Sequence, residues 1–158
     1  MKKFSLLLLF LIASVAAHAQ FDKGKKYLGA SVSGLGLSYS SNQEFRFGLD
    51  ANVGYFAADN FMIRFNASYE HTKEIDDVSL GAGIRYYFDQ VGVYIGAGGE
   101  YVHYTPSSND VVIPIEIGYA FFLNDRVTIE PAVYYKMSLH DFSNNSTVGA
   151  RLGFGFYF

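Results

Sequence analysis

Apolar and polar side chains alternate with a period of two along most of the chain, as strands do when their two faces meet different surroundings. The last segment is the cleanest: Val148, Ala150, Leu152, Phe154, Phe156 and Phe158 face one way, and Thr147, Gly149, Arg151, Gly153, Gly155 and Tyr157 the other. Before it, Val127, Ile129, Val133, Tyr135, Met137 and Leu139 oppose Thr128, Glu130, Tyr134, Lys136 and Ser138. Val111 to Leu123 sets isoleucines against Pro114, Glu116, Gly118 and Ala120. Val91, Val93, Ile95, Ala97 and Tyr101 oppose Gly92, Tyr94, Gly96, Gly98 and Glu100. The same register runs through Val78–Phe88 around Arg85, Phe61–Tyr69 around Arg64, and Phe45–Tyr55 around Arg46 and Asp50. In the first segment, Tyr27 to Ser40, parity changes at Gly34, which predicts a β-bulge there. The pattern therefore predicts eight strands.

The connectors are of two kinds. Residues 57–60, 89–90 and 124–126 are tight turns rich in Asp and Asn. Alternating with them, residues 41–44, 72–77, 105–110 and 140–146 are mostly longer and richer in Ser, Asn and acidic side chains. Short turns at one end and longer loops at the other predict an all-β fold, an eight-stranded antiparallel up-and-down barrel.

The first residues read differently. Met1-Lys2-Lys3 is a positive start, Phe4 to Val15 is apolar apart from Ser5 and Ser14, and Ala17-His18-Ala19 is a small-x-small cleavage site. Residues 1–19 are therefore expected to be a cleaved signal peptide. A membrane anchor would need about 20 apolar residues, more than this run supplies. Residues 20–26 are expected to be a polar leader, and 27–158 the barrel domain.

Alternation alone does not say which face is wet. A soluble, lipocalin-like calyx would put the apolar face inside, whereas a membrane barrel puts it outside. Three features favour the membrane. The apolar faces are large and aromatic while the polar faces are rich in Gly, as a narrow interior shared with long side chains requires. Mid-strand charges balance: Arg46, Arg64, Arg85, Lys136 and Arg151 against Asp50, Glu70, Glu100, Glu116 and Glu130. Charges enclosed in a narrow barrel need partners to offset desolvation. Aromatic residues also gather at strand ends. Tyr27, Tyr55, Phe61, Phe88, Phe121 and Phe156 predict one girdle, and Tyr39, Phe45, Tyr69 and Tyr101 the other.

Composition sharpens the picture. The 15 Phe, 13 Tyr and 16 Gly among 158 residues argue against disorder and against a helical bundle. The absence of Cys excludes disulfides, thiolate metal sites, a Cys nucleophile and a lipidated N-terminal Cys. A net charge of −3 offers no basic surface for nucleic acid.

A signal peptide, eight amphipathic segments and a last strand ending in Gly155-Phe156-Tyr157-Phe158 resemble the small eight-stranded outer-membrane β-barrels of Gram-negative bacteria. That group, also called the outer membrane protein beta-barrel domain or porin-family proteins, includes the OmpA transmembrane domain and OmpX. The resemblance covers Tyr27 to Phe158. It implies an outer-membrane location, termini on the periplasmic side and four loops outside. It also implies that Phe154, Phe156 and Phe158 are the signal read by the barrel-assembly machinery. Other expected partners are outer-membrane lipids and lipopolysaccharide, and a monomer is expected. With nothing after the barrel, the peptidoglycan-binding domain of two-domain OmpA relatives is expected to be absent, and with it any cell-wall anchoring role.

Eight strands leave an interior just wide enough for side chains, so the lumen charges are expected to fill it as salt bridges. A narrow OmpW-like conduit for small solutes is the alternative. His71, His103 and His140 lie near the loop rim with Asp76, Asp77, Asp110 and Asp141, but no ligand spacing marks a metal site. Acidic loops of this kind are ordinarily solvated. Some barrels of this class are lipid-modifying enzymes, and His140-Asp141-Phe142-Ser143-Asn144 is the nearest motif, although its spacing departs from the deacylase pattern. Gly81-Ala82-Gly83 and Gly96-Ala97-Gly98-Gly99 are mid-strand and are not phosphate loops. No enzyme activity, cofactor or metal is expected. The role expected is structural or interactive: envelope integrity or adhesion.

Overall fold

Each alternating segment folds into an antiparallel strand, and hydrogen bonding between neighbours carries the sheet round into a closed wall. The structure, a computed structural model, describes residues 21–33, 47–71, 76–88, 92–104, 108–139 and 146–158. The strands are β1 (Lys26–Ser33), β2 (Phe47–Ala58), β3 (Phe61–His71), β4 (Asp76–Tyr87), β5 (Val93–Tyr104), β6 (Ser108–Tyr119), β7 (Phe121–Phe122), β8 (Val127–Ser138) and β9 (Thr147–Tyr157). The two-residue β7 continues β6 past a break at Ala120, so the nine segments build eight barrel strands. Successive strands pair from β1 to β6, β6 and its continuation β7 both pair with β8, β8 pairs with β9, and β9 returns to pair with β1 from Tyr27↔Tyr157 to Ser33↔Arg151. That last pairing closes the barrel and leaves no open sheet edge.

Two irregularities have local causes. The β5–β6 ladder is interrupted between Ala97↔Ile115 and Glu100↔Val112, opposite Pro114, which has no N–H to give. The β2–β3 register shifts between Phe56 and Ala58, ahead of a turn in which Asn60 adopts φ of +63°. The bulge expected at Gly34 lies outside the described residues.

The tight turns at 59–60 and 123–126 share one end of the barrel with Phe21 and Phe158, here termed the turn end. Lys26 and Phe158 exchange backbone hydrogen bonds there at 2.7 and 3.0 Å. In the 124–126 turn, Asn124 Oδ1 accepts from the amides of Arg126 and Val127, the Asx-turn chemistry its sequence suggests. The opposite, loop end carries the connections after His71 and Tyr104.

The two faces are sorted as a membrane barrel requires. Leu80, Phe65, Ile117 and Phe154 stand on the outside at 64 %, 60 %, 55 % and 47 % exposure, while Arg64, Arg85, Glu116 and Glu130 are 2–4 % exposed on the inside. In water such an apolar wall would be a very large exposed patch. In a bilayer it is the favourable surface, and strands of 11–12 residues meet the roughly 9–11 that a tilted strand needs to cross.

Candidate functional site

The inner wall is built by glycines lying beneath long side chains. A Cβ at Gly96 would stand 2.7 Å from Glu116 Oε1, and one at Gly81 2.6 Å from Glu100 Cγ. Gly118, Gly149 and Gly54 likewise leave room for Tyr94, Tyr134 and Met62. A narrow barrel fills its interior by setting small residues against large ones, so the Gly-rich inner faces are where the charged residues fit.

The lumen is stacked in layers. Lowest, at the turn end, is an aromatic floor of Phe56, Tyr87, Tyr94 and Tyr157 with Met62, all at 0–1 % exposure. Above it, Glu130 accepts from Tyr27 at 3.0 Å, Tyr157 at 2.8 Å, Thr128 at 2.8 Å and Arg85 at 2.9 Å. Arg85 also reaches Glu116 at 3.1 Å and lies 4.0 Å over the Tyr94 ring. Glu116 is the hub of the next layer, shared by Arg85, by Arg64 at 3.0 Å and by Arg151. Higher still, Lys136 bridges Glu70 at 2.7 Å and Glu100 at 3.5 Å, and Asn66 donates to Glu100 at 2.9 Å. Asp50, further along the inner wall, accepts from Ser31 at 3.4 Å and from Asn52. Towards the loop end, ion pairs give way to hydroxyls: Ser68 meets Ser79 at 2.6 Å, and Asp110 accepts from Ser138.

Of the ten lumen residues expected from sequence, nine are described, all on the inner wall; Arg46 lies outside the described residues. Among the described residues the expected charge balance does not hold. Asp77 and Asp110, read as loop residues, sit in β4 and β6 with inward side chains at 7 % and 4 % exposure. The described inner wall then carries the carboxylates Asp50, Glu70, Asp77, Glu100, Asp110, Glu116 and Glu130 against the cations Arg64, Arg85, Lys136 and Arg151. For Asp110 the bonds from Ser138 and from the Val111 amide, at 2.7 Å, take the place of a cation.

The girdle needs one correction too. Tyr55, Phe88 and Phe156 face outward near the turn end, and Tyr69 and Tyr101 near the loop end, at 43–52 % exposure. Phe61 and Phe121 are half-buried, whereas Tyr27 is 4 % exposed and points inward. Its parity with Gly29 and Ser31 sets that direction, and its hydroxyl is held by Glu130. Tyr39 and Phe45 lie outside the described residues. Tyr94, Tyr134 and Tyr157 face inward as their parity predicts; Tyr27 is what sequence reading missed, because at a strand end an aromatic residue suits either face.

At the loop rim, His71 Nδ1 lies 2.6 Å from Asp76 Oδ1, which also accepts from the Tyr69 hydroxyl at 3.0 Å. His103 Nδ1 lies 2.6 Å from Asn109 Oδ1. Each histidine is thus tied within its own hairpin, and the structure does not bring the two together at one site. Among the described residues no group of three or more His, Asp or Glu side chains is placed to hold a metal ion. His140 to Asn144 lie outside the described residues. Phe154, Phe156 and Phe158 line up on the outer face of the last strand.

A closed eight-stranded barrel with an apolar exterior and an ion-paired interior is a transmembrane β-barrel. Comparison with solved structures places the fold among the small outer-membrane barrels. The N-terminal β-barrel domain of Pseudomonas aeruginosa OprF aligns with a TM-score of 0.69 at 16 % identity, covering 86 % of this chain and 98 % of that domain. Neisserial surface protein A aligns at 0.63 and 16 % identity, covering 85 % and 96 %. The outer membrane protein OprG of Pseudomonas aeruginosa aligns at 0.58 and 14 % identity, covering 88 % and 98 %. At these identities the likeness is one of fold. No protein-family model matches the chain, and no curated protein does.

Proposed function

We propose that the chain is an exported, integral outer-membrane protein whose role is structural or interactive, carried by its lipid-facing wall and loop end, and not enzymatic. The supporting observation is the lumen itself. The Arg85–Glu130 and Arg85–Glu116 contacts join β4 to β8 and to β6, three and two strands away around the wall, with every partner at 2–4 % exposure. Buried ion pairs that bridge the interior leave no lane for a solute, and opening one would strand buried charges. Outer-membrane lipids, lipopolysaccharide and the barrel-assembly machinery are its proposed partners, and it acts as a monomer.

One observation favours a second reading. Among the described residues the inner wall carries more carboxylates than cations, so a conduit through it would select cations. Single-channel recording of the purified protein in a planar bilayer separates the two. A silent membrane holding inserted protein supports the closed barrel. Stable cation-selective openings whose selectivity shifts with Glu100→Gln or Arg85→Gln would replace it with the conduit.

A further inference from the structure

The run Phe21-Asp22-Lys23-Gly24-Lys25-Lys26 holds a single large apolar residue, and that residue is buried: Phe21 is 4 % exposed. Its ring stacks on Tyr87 with centroids 4.1 Å apart and planes 21° apart. It meets Phe122 and Tyr157 edge-on at 5.6 and 5.8 Å and lies 6.0 Å from Phe56. These four residues come from β2, β4, β7 and β9, so the socket exists only once the first and last strands have met. Aromatic packing of this geometry is favourable beyond the area it buries.

The backbone fixes the segment as firmly as the ring does. Asn60 N donates to Phe21 O at 2.8 Å, Gly24 N to Phe56 O at 2.8 Å, and Phe56 N to Lys25 O at 2.9 Å. Lys23 N donates to Asp59 Oδ1 at 2.9 Å. The chain doubles back at Gly24, whose φ of +92° is one that other residues rarely adopt. Just inside the ring, Tyr87 and Tyr157 join hydroxyls at 3.1 Å, and Tyr157 donates to Glu130. Phe21 therefore covers the lowest layer of the lumen from below.

We propose that Phe21–Lys25 is a built-in stopper that seals the turn end of the lumen against solvent, with Phe21 as its head and the Gly24 turn as its hinge. This goes beyond the proposed role, because it concerns access to one end of the barrel and not conduction through its ion-paired layers. With no native Cys, an introduced thiol reports that access cleanly. Thr128→Cys places one on the inner wall above the floor, at a position with 0 % exposure. Ser138→Cys places another at a position with 1 % exposure towards the loop end. The exported protein, purified folded in detergent, is treated with a small cationic methanethiosulfonate.

The thiol at 128 should be protected in the parent and labelled at least tenfold faster with Phe21→Ala, while the thiol at 138 stays protected in both. Unchanged protection at 128 after Phe21→Ala would overturn the stopper, as would rapid labelling in the parent. Equal acceleration at both positions would also overturn it, since that reports a loosened barrel. Should Phe21→Ala not accumulate folded, Gly24→Val gives the same test by straining the hinge with the ring intact. It should expose position 128 alone, and continued protection there would count against the stopper.

Discussion

Arg85 and Glu130 stand three strands apart around the wall, yet Arg85 Nη1 and Glu130 Oε2 are 2.9 Å apart inside it, with both side chains 2–3 % exposed. The contact is a strut across the lumen. Because Glu130 also takes three hydroxyl donors, removing the guanidinium leaves it hydrogen-bonded but uncompensated in charge. Removing the carboxylate leaves Arg85 with Glu116 as its remaining ion-pair partner, beside the Tyr87 hydroxyl at 3.1 Å.

Breaking a buried pair from one side costs about 3–5 kcal/mol, more than most single substitutions. Arg85→Ala and Glu130→Ala are each expected to lower the stability of the barrel in lipid vesicles by that order, measured by urea unfolding. The double variant should be markedly less destabilised than the sum of the two, since neither charge is then left alone. Strict additivity would mean that the strut does not form.

Glu116 and Glu70 offer a graded comparison. Glu116 serves three guanidiniums with its side chain at 2 % exposure, whereas Glu70 serves Lys136 with the two at 15 % and 20 %. Replacing Glu116 by Gln removes the carboxylate that three buried cations share, although Arg85 keeps Glu130. The partly solvated Glu70–Lys136 pair belongs nearer to exposed pairs, which contribute roughly 1 kcal/mol or less. Glu116→Gln should therefore destabilise by at least ~2 kcal/mol more than Glu70→Gln in the same unfolding assay. Equal effects would show that the hub is not where compensation resides.

The strand count, the faces and most of the lumen could be read from sequence because side-chain parity in a strand has only two values. Val78 to Phe88 show this: once the apolar set was assigned to lipid, Ser79, Gly81, Gly83 and Arg85 had to point inward. What escaped was where strands end. Asp77 and Asp110 looked like loop residues because acidic side chains near Ser and Asn suggest solvent, yet both continue the inward parity by one more step. Tyr27 escaped for the opposite reason, since an aromatic residue at a strand end fits either a girdle or a floor. Phe21 carried no periodic signal at all. Which charge meets which could not be read either. The contacts Arg85–Glu130 and Lys136–Glu70 depend on how the wall curls, and the pattern along any one strand does not record that.

The glycines of β4 and β5 differ in how much they constrain the wall, and inward Gly83 and outward Gly99 give a sharp contrast. A Cβ at Gly83 would lie 2.6 Å from the Ala97 carbonyl oxygen and 3.1 Å from Gly98 Cα, both backbone atoms of the paired strand. A Cβ at Gly99 meets nothing within 4 Å. Overpacking against backbone that cannot swing aside costs roughly 1–3 kcal/mol. Gly83→Ala should fall in that range, while Gly99→Ala should be close to neutral or slightly stabilising, read from the urea midpoint of the compact form. A reversed order would mean that β4 and β5 are not so close.

Phe158 separates assembly from stability. Its backbone holds the barrel seam through two bonds with Lys26, but its side chain is 61 % exposed on the outer wall. Alanine keeps the backbone bonds and gives up only lipid contact. Phe158→Ala should therefore refold in vesicles with a stability near that of the parent. Its assembly in cells should fall severalfold if the terminal aromatic is what the insertion machinery reads, as measured by the fraction of heat-modifiable, compact protein in the outer membrane. Equal loss in both settings would place the role of Phe158 in the folded barrel itself. Normal assembly in cells would remove it from the insertion signal and leave Phe154 and Phe156 as the residues to test.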